Sequence, residues 1–278
     1  MFERVLYPTD FSDVSLHALR HCLPKLLSLG VRELVLIHVI DITIAEFEAF
    51  ELEEVYRERL GELAEELGKD GFNVEPVVRI GIPSVEIAET ADEKGVDLVV
   101  IPSMGENVWR AMFVGSTASN LARATRRPVL LLKYVKKNDA FELAVDCSEL
   151  LKRPLVAIDF SKCSIKVLKT VRKFEELVES GLLLHSVDYG GMEELEHNIE
   201  LAKKNLEKSA RGLRAKFETE VMVGSASQAI IGTSLAKNST LIVIGKKGRS
   251  FIKDLLLGST AERVVRDSKV PVLLVPCE

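Results

Sequence analysis

Short apolar runs alternate with amphipathic stretches along the whole chain. In the first half the runs are rich in Val, Ile and Leu and too short for helices, and they lie at 4–8, 34–40, 74–80, 97–101 and 128–132. Such runs are typical of parallel strands that are buried on both faces. The stretches between them have apolar residues at the three- and four-residue spacing of helices, near 13–29, 45–68, 83–94 and 116–125. This alternation predicts a doubly wound parallel sheet with helices on both faces.

The second half of the chain repeats the first. An offset of 143 residues places Gly105 over Gly248 and the segment GSTA at 115–118 over GSTA at 258–261. Nearer the start of each half, PTDFS matches AIDFS. The second set of strands is expected near 154–158, 182–187, 217–223, 240–245 and 271–275. The sequence therefore predicts two tandem five-stranded α/β units, at 1–135 and 153–278.

Residues 136–152 form the predicted linker. Phe141, Leu143 and Leu150 in this stretch favour a short packed helix over a free tether. The last strands of the two units, PVLLLKY and VPVLLVP, would each be an apolar sheet edge if left alone. We therefore expect the two units to pair through these strands as a pseudo-dimer within one chain. A homodimer of the whole chain is left open.

The composition excludes several classes of protein. The chain is 47% hydrophobic and 28% charged, and it has no apolar run near the roughly 18 residues of a membrane span. A formal net charge of −5 gives no global attraction for nucleic acid or an anionic membrane, so neither is expected as a partner. A strand-like segment follows Met1 almost at once and leaves no room for a secretory signal, so we expect a cytoplasmic protein.

The cysteines and histidines give no sign of a metal site. The four cysteines are far apart without a CxxC pair, and we interpret them as ordinary thiols in a reducing compartment; they are Cys22, Cys147, Cys163 and Cys277. His17 and His21 have a spacing that can bind a metal, but no third ligand fits, so no metal site is predicted. His38 and His185 end equivalent strands, where a structural role is expected.

The glycine motif of the second half indicates an anion site. In open α/β sheets, ligands bind beyond the carboxyl ends of the strands, where the winding reverses. Gly245 and Gly248 follow the fourth strand, and we expect them to allow close backbone approach and positive φ. Gly258, Ser259 and Thr260 open the next helix, whose free N–H groups suit a phosphate. Neither GxxxxGK[ST] nor a GxGxxG fingerprint is present.

These motifs resemble those of tandem universal stress proteins. The resemblance covers nearly the whole chain apart from the linker and rests on LYPTDFS at 6–12, LIHVID at 36–41, GIPSVEIAETADEKGVDLVVIP at 81–102 and the glycine motif at 245–260. It implies a Rossmann-like fold of the adenine nucleotide alpha hydrolase type and a cytoplasmic stress-response regulatory protein. In nucleotide-binding members of the family, an Asp after the first strand and backbone after the second hold adenosine, while the glycine motif holds ribose and phosphates.

The resemblance implies a nucleotide site in each half. In the second half the matching residues are Asp159, Ser186, Gly245, Gly248, Gly258, Ser259 and Thr260. In the first half they are Asp10, Val39, Gly105, Gly115, Ser116 and Thr117. The expected ligand is ATP or AMP, with Mg²⁺ as an additional candidate. The second site is expected to bind more tightly because Pro102 replaces its first glycine in the first half and lacks an N–H. The second loop also carries extra positive charge, on Lys246, Lys247, Arg249 and Lys253.

Two alternatives to a nucleotide-binding regulator stay open at this point. One is a slow ATPase or phosphotransferase built on the same site. An efficient enzyme of that kind needs a base or water-orienting group beside the terminal phosphate. The matched motif supplies Asp159 on the adenosine side only. The other alternative is an interaction module that binds no nucleotide.

Overall fold

The chain folds into two compact units, Met1–Leu143 and Ala144–Glu278, in this computed structural model. The structure describes residues 2–27, 30–45, 49–104, 114–137, 140–187, 192–248 and 257–277. Each unit contains its own five-stranded parallel sheet. No helix within these ranges has both the length and the apolar character needed to cross a bilayer.

The first unit alternates strands and helices. Its strands are β1 (Arg4–Pro8), β2 (Glu33–Asp41), β3 (Asn73–Gly81), β4 (Leu98–Pro102) and β5 (Val129–Leu132). Its helices are α1 (Asp13–Leu26), α2 (Ile42–Ala45), α3 (Ala49–Lys69), α4 (Pro83–Glu93) and α5 (Ser116–Ala124). The strands pair in parallel in the order β5-β4-β1-β2-β3. The winding therefore reverses between β1 and β4.

A β-hairpin follows the first sheet. Its strands are β6 (Tyr134–Lys137) and β7 (Ala140–Leu143), and they pair antiparallel with Tyr134 opposite Leu143. The short helix predicted for the linker is therefore wrong, because Phe141 and Leu143 lie in a strand. The predicted unit boundaries at 135 and 153 stay a prediction.

The second unit repeats the topology of the first. Its strands are β8 (Pro154–Ala157), β9 (Gly181–Val187), β10 (Phe217–Val223), β11 (Leu241–Gly245) and β12 (Val272–Val275). Its helices are α6 (Lys162–Val171), α7 (Met192–Arg211), α8 (Ala226–Ala236) and α9 (Ser259–Asp267). The order is β10-β9-β8-β11-β12, and again all pairs are parallel.

This architecture confirms the predicted fold class of two doubly wound parallel sheets. Right-handed crossovers place the helices that connect the first three strands on one face of each sheet. The helices that connect the last three strands lie on the other face. The contacts agree with this, because α4 packs against α5, and α8 packs against α9. The central strands are apolar at nearly every position because helices cover both faces.

The strand β11 lies at the centre of the second core. Ile242 is fully buried and is flanked by Leu155 on β8 and Val272 on β12. Ile165 on α6, by contrast, keeps 68% of its surface exposed. The two isoleucines have the same side chain but differ in burial, and Ile165 lies on a helix whereas Ile242 lies on a strand.

We predict that Ile242→Ala destabilises the second unit by about 2–5 kcal/mol, because it removes buried methyl groups and leaves a cavity. Ile165→Ala should change stability by no more than about 0.5 kcal/mol. Urea unfolding of both variants, followed by circular dichroism, measures the difference. Equal losses of stability would contradict the assignment of β11 to the core.

Candidate functional site

A cavity of about 400 Å³ lies at the carboxyl ends of β8 and β11, where the winding of the second unit reverses. All seven residues predicted for this half line it, namely Asp159, Ser186, Gly245, Gly248, Gly258, Ser259 and Thr260. The sequence reasoning therefore identified residues that the fold brings together. Their role in binding stays a prediction.

The turn after β8 fixes the orientation of Asp159. Its Oδ1 accepts hydrogen bonds from the backbone N–H of Ser161 at 3.0 Å and from the hydroxyls of Ser161 and Ser164 at 2.6 and 2.8 Å. Phe160, between them, has a φ of 60°, a left-handed conformation that is uncommon for an aromatic residue. Strained backbone of this kind tends to persist at functional sites, where its surroundings hold it in place.

The glycines of the loop after β11 are required for space. Neither Gly245 nor Gly248 has a positive φ, so the predicted left-handed conformation is wrong for both. A Cβ on Gly245 would lie 2.6 Å from the Sγ of Cys163. A Cβ on Gly248 would lie 3.0 Å from the Oδ2 of Asp159. Any side chain here would press on α6 or on the turn after β8.

The start of α9 contributes Gly258, Ser259 and Thr260 to the cavity wall. Gly258 is the N-cap residue, and no side chain caps the helix. Its own N–H donates to the carbonyl of Lys246 at 2.8 Å, which holds the helix start against the glycine loop. The N–H groups of the first turn have no partner within the helix and carry the positive end of the helix dipole.

Two lysines extend this positive end. Lys246, which is buried, and Lys247 both line the cavity. A cationic side chain beside an uncapped helix start strengthens the attraction for an anion. Arg249 and Lys253, which were predicted to add to this charge, lie outside the described residues.

Another part of the cavity wall is apolar. It consists of Ala157, Val167, Leu184, Ala226 and Ile230. Sequence reasoning missed these residues, which lie on β8, α6, β9 and α8. The spacing of apolar residues in α6 and α8 indicates which helix faces are buried. Only the order of the strands in the sheet shows which buried faces line the same cavity. Beside this wall, Ser186 donates its hydroxyl to the carbonyl of Gly224 at 2.7 Å.

The first unit builds the same turn from the same residue types, Asp, Phe and Ser. Asp10 Oδ1 accepts from the backbone N–H and the hydroxyl of Ser12 at 3.0 and 2.6 Å, and Phe11 has a φ of 58°. Gly115 is the N-cap of α5, again without a side-chain cap, so Ser116 and Thr117 open that helix. Val39 lies near the end of β2. Gly105 lies outside the described residues.

The histidines at the ends of the equivalent strands are hydrogen-bonded, as expected for a structural role. The Nδ1 of His38 lies 2.8 Å from the carbonyl oxygen of Thr9, and the Nδ1 of His185 lies 2.6 Å from that of Ile158. The ring of His38 also contacts Tyr56, with the ring centres 4.0 Å apart. Burial lowers the pKa of His38 from its ordinary 6.5, against the opposing hydrogen bond to Thr9.

The expectation of four ordinary thiols is wrong, because none of the cysteines in the described part of the chain is a free thiol, Cys22 and Cys147 included. Cys163 and Cys277 form a disulfide, although they are 114 residues apart in sequence. Sequence spacing could not show this pairing, because the fold alone brings the start of α6 close to the end of the chain. Among the side chains that the structure describes, no cluster of three or more His, Cys, Asp or Glu residues could hold a metal ion.

Comparison with known proteins identifies the family. The model of the universal stress protein family matches residues 1–133 and 151–276. The universal stress protein MJ0577 of Methanocaldococcus jannaschii is 30% identical over 156 residues, which cover 48% of this chain and 96% of that protein. The chain therefore belongs to the universal stress protein family, in a tandem two-domain form.

Solved structures agree on the fold of the whole chain. A universal stress protein from Archaeoglobus fulgidus matches with a TM-score of 0.75 and 23% identity over 99% of this chain and 98% of its own. A protein from Pseudomonas aeruginosa, described as a putative universal stress protein, matches with a TM-score of 0.70 and 16% identity over 99% and 93%. At these identities the likeness shows the fold alone.

We predict that the imidazole of His38 titrates below pH 6.5 in the folded protein. Because its folded pKa is lowered, the unfolded chain takes up a proton first as the pH falls. The stability contributed by neutral His38 is thus present above the unfolded pKa near 6.5 and is lost as the pH drops below it. NMR titration measures this pKa, with the resonance assigned by its loss in His38→Gln. A value at or above 6.5 would contradict the burial seen here.

Proposed function

We propose that the second unit binds an adenine nucleotide, ATP or AMP, and that the chain is a nucleotide-dependent regulator of a cytoplasmic stress response. The observation that carries this proposal is the cavity between β8 and β11. Its wall has an apolar part and an anion-attracting part, and it contains every residue of the second half that matches the nucleotide-binding members of the family.

The two parts of the cavity wall suit the two ends of a nucleotide. A purine base is flat and largely apolar, and the wall that contains Val167 and Ile230 offers it a hydrophobic surface. Asp159 and Ser186 lie beside that wall and supply acceptors for amino or hydroxyl groups. The start of α9 and Lys246 would face the phosphates. A volume of about 400 Å³ lies within the usual range for small-molecule sites.

Any Mg²⁺ would arrive with the nucleotide. In the part of the chain that the structure describes, no group of three or more His, Cys, Asp or Glu side chains could hold a metal ion. Mg²⁺ is commonly bound by substrate phosphates, waters and one or two carboxylates. The phosphates of ATP and water would therefore supply most of the ligands of the ion, and AMP would bind without it.

The two units should bind unequally. Where the second unit has Gly245, the first has Pro102, which lacks an N–H. Where the second unit has Lys246 and Lys247, the first has the uncharged Ser103 and Met104. A hydrogen bond to a charged group contributes about 1.5–3 kcal/mol, which is roughly a ten- to hundredfold difference in affinity. We therefore expect one tight site in each chain.

We predict that the purified protein binds ATP and that Gly248→Ala weakens binding about three- to tenfold. The added methyl group would lie 3.0 Å from Asp159 Oδ2 and push that carboxylate away from its position in the cavity. Gly232→Ala is the matched control, because its Cβ would meet nothing within 4 Å and the residue does not line the cavity. Titration calorimetry gives the affinity and the number of sites.

The outcomes of this titration separate the candidate functions. Equal affinities for the Gly248→Ala and Gly232→Ala variants would argue against this cavity as the site, and the absence of any binding would favour the interaction module. Accumulation of ADP with the wild-type protein, lost in Gly248→Ala, would favour the slow ATPase. The nucleotide released on denaturation, identified by mass spectrometry, distinguishes ATP from AMP.

We also propose that the two units pair through β5 and β12. In its own unit each of these is the last strand of the sheet, and an unpaired apolar edge promotes aggregation. We predict that segments 1–143 and 144–278, produced together from separate genes, co-purify as a one-to-one complex. Substitution of Leu131 and Leu273 by Lys should prevent this. Two segments that elute separately as stable monomers would overturn the pairing.

A further inference from the structure

The disulfide between Cys163 and Cys277 has one of its two residues in the wall of the cavity. Cys163 is the second residue of α6, is buried and lines the cavity. Cys277 lies two residues beyond the end of β12 and is partly exposed. The bond thus ties the end of the chain to the helix that follows the Asp159 turn.

Both sulfur atoms lie against the glycine loop. The Sγ of Cys163 occupies the space that a side chain on Gly245 would need, 2.6 Å from that Cβ position. The Sγ of Cys277 accepts the backbone N–H of Lys247 at 3.2 Å. On the other side, Ser164, the neighbour of Cys163, donates its hydroxyl to Asp159 at 2.8 Å. The disulfide therefore connects the turn that holds Asp159 with the loop that holds the lysines.

The first unit has a non-covalent contact at the equivalent place. Tyr134 lies two residues beyond β5, as Cys277 does beyond β12. Its hydroxyl lies 3.3 Å from the carbonyl oxygen of Val14, the second residue of α1, and 2.9 Å from the Nδ1 of His17. Each unit thus ties the end of its last strand to the start of its first helix. Only in the second unit is that tie a bond that a reductant can break.

We propose that Cys163–Cys277 is a site of thiol–disulfide exchange, and that its reduction by a dithiol weakens nucleotide binding in the second unit. The inference rests on the proposed function of that unit as a nucleotide-binding domain. The proposal adds to this cavity a covalent modification that changes its affinity for the nucleotide.

The exposure of the two cysteines decides the order of the reaction. Cys277 is the partly exposed residue of the pair, so a thiolate of the dithiol attacks its Sγ, the S–S bond breaks, and its electron pair leaves on Cys163. That thiolate forms in the first turn of α6, where the positive end of the helix dipole stabilises it until it takes up a proton. The second thiol of the reagent then attacks the mixed disulfide and releases Cys277. One protein disulfide becomes two thiols, and one dithiol becomes a disulfide.

Reduction should weaken binding because it removes a constraint on the cavity. The bonded form holds residues 245–248, the start of α6 and the segment after β12 in one arrangement before any ligand arrives. Once the bond is broken, these groups must be ordered when the nucleotide binds, and ordering lowers affinity. Ordering two or three side chains and a short chain end corresponds to a loss of about five- to tenfold in affinity.

The test uses the full-length protein in two redox states. Oxidised protein is prepared with oxidised glutathione and reduced protein with dithiothreitol, and alkylation with mass spectrometry assigns the state of Cys163 and Cys277. The Kd for ATP is measured in each state by calorimetry. Dithiothreitol also acts on Cys22 and Cys147, which are disulfide-bonded. Cys277→Ser leaves these two residues and Cys163 unchanged, so it shows whether the response belongs to the Cys163–Cys277 bond. Cys277→Ala serves the same purpose if the serine variant does not fold.

The expected result is an ATP Kd about five- to tenfold lower for the oxidised than for the reduced protein. Either Cys277 variant should bind like the reduced protein and should not respond to dithiothreitol. By linkage, saturating ATP should make the disulfide harder to reduce by the same factor in a dithiothreitol redox buffer. This second readout does not depend on the calorimetry.

Four outcomes would overturn the proposal. They are equal ATP affinity in both states, a Cys277 variant that still responds to dithiothreitol, oxidised protein in which Cys163 and Cys277 stay unjoined, and a loss of binding that coincides with unfolding by circular dichroism. Equal affinity leaves the nucleotide-binding function intact and removes only the redox control. An absence of ATP binding in either state removes both.

Discussion

The parallel pairing of β8 with β11 is the constraint on which the candidate site depends. Because these neighbours continue into helices on opposite faces of the sheet, their carboxyl ends diverge and leave a crevice between them. The turn after β8 brings Asp159 to one side of this crevice, and the loop after β11 brings Gly248 to the other. The two are so close that a single methyl group on Gly248 would reach the carboxylate.

The two units show which features of the site tolerate a change of sequence. The segments PTDFS and AIDFS differ before the aspartate. Both produce the same hydrogen-bonded turn, in which the backbone of the phenylalanine has a left-handed conformation. Such a conformation costs about 1–3 kcal/mol and persists only where the surroundings hold it. Here the ring of each phenylalanine packs on the histidine of the neighbouring strand, His38 or His185. The turn is thus held by its tertiary contacts as well as by its own sequence.

Sequence patterns predicted the repeated fold because it depends on local signals, and the resemblance to the family selected polar residues that line one cavity. Apolar runs define the strands, and the GSTA segments mark the starts of α5 and α9. The helix predicted after β5 was wrong because each hairpin strand has only four residues, too few for a clear alternation of polar and apolar positions. In the sequence, Asn138 and Asp139 are residue types typical of turns. The apolar wall and the Cys163–Cys277 bond depend on which elements meet in space, and no local pattern contains that information.

The ties at the ends of the two sheets illustrate how a duplicated domain diverges in its chemistry. Tyr134 and Cys277 occupy equivalent positions and reach the same residue of the first helix, Val14 or Cys163. The first tie involves His17, whose pKa is lowered by burial and by the neighbouring His21, so this contact includes a group that titrates. The second tie is a disulfide bond, which a two-electron reduction breaks. With the same architecture, the first unit has a contact that depends on protons and the second has one that depends on redox state, and it is the second that borders the cavity with the lysines.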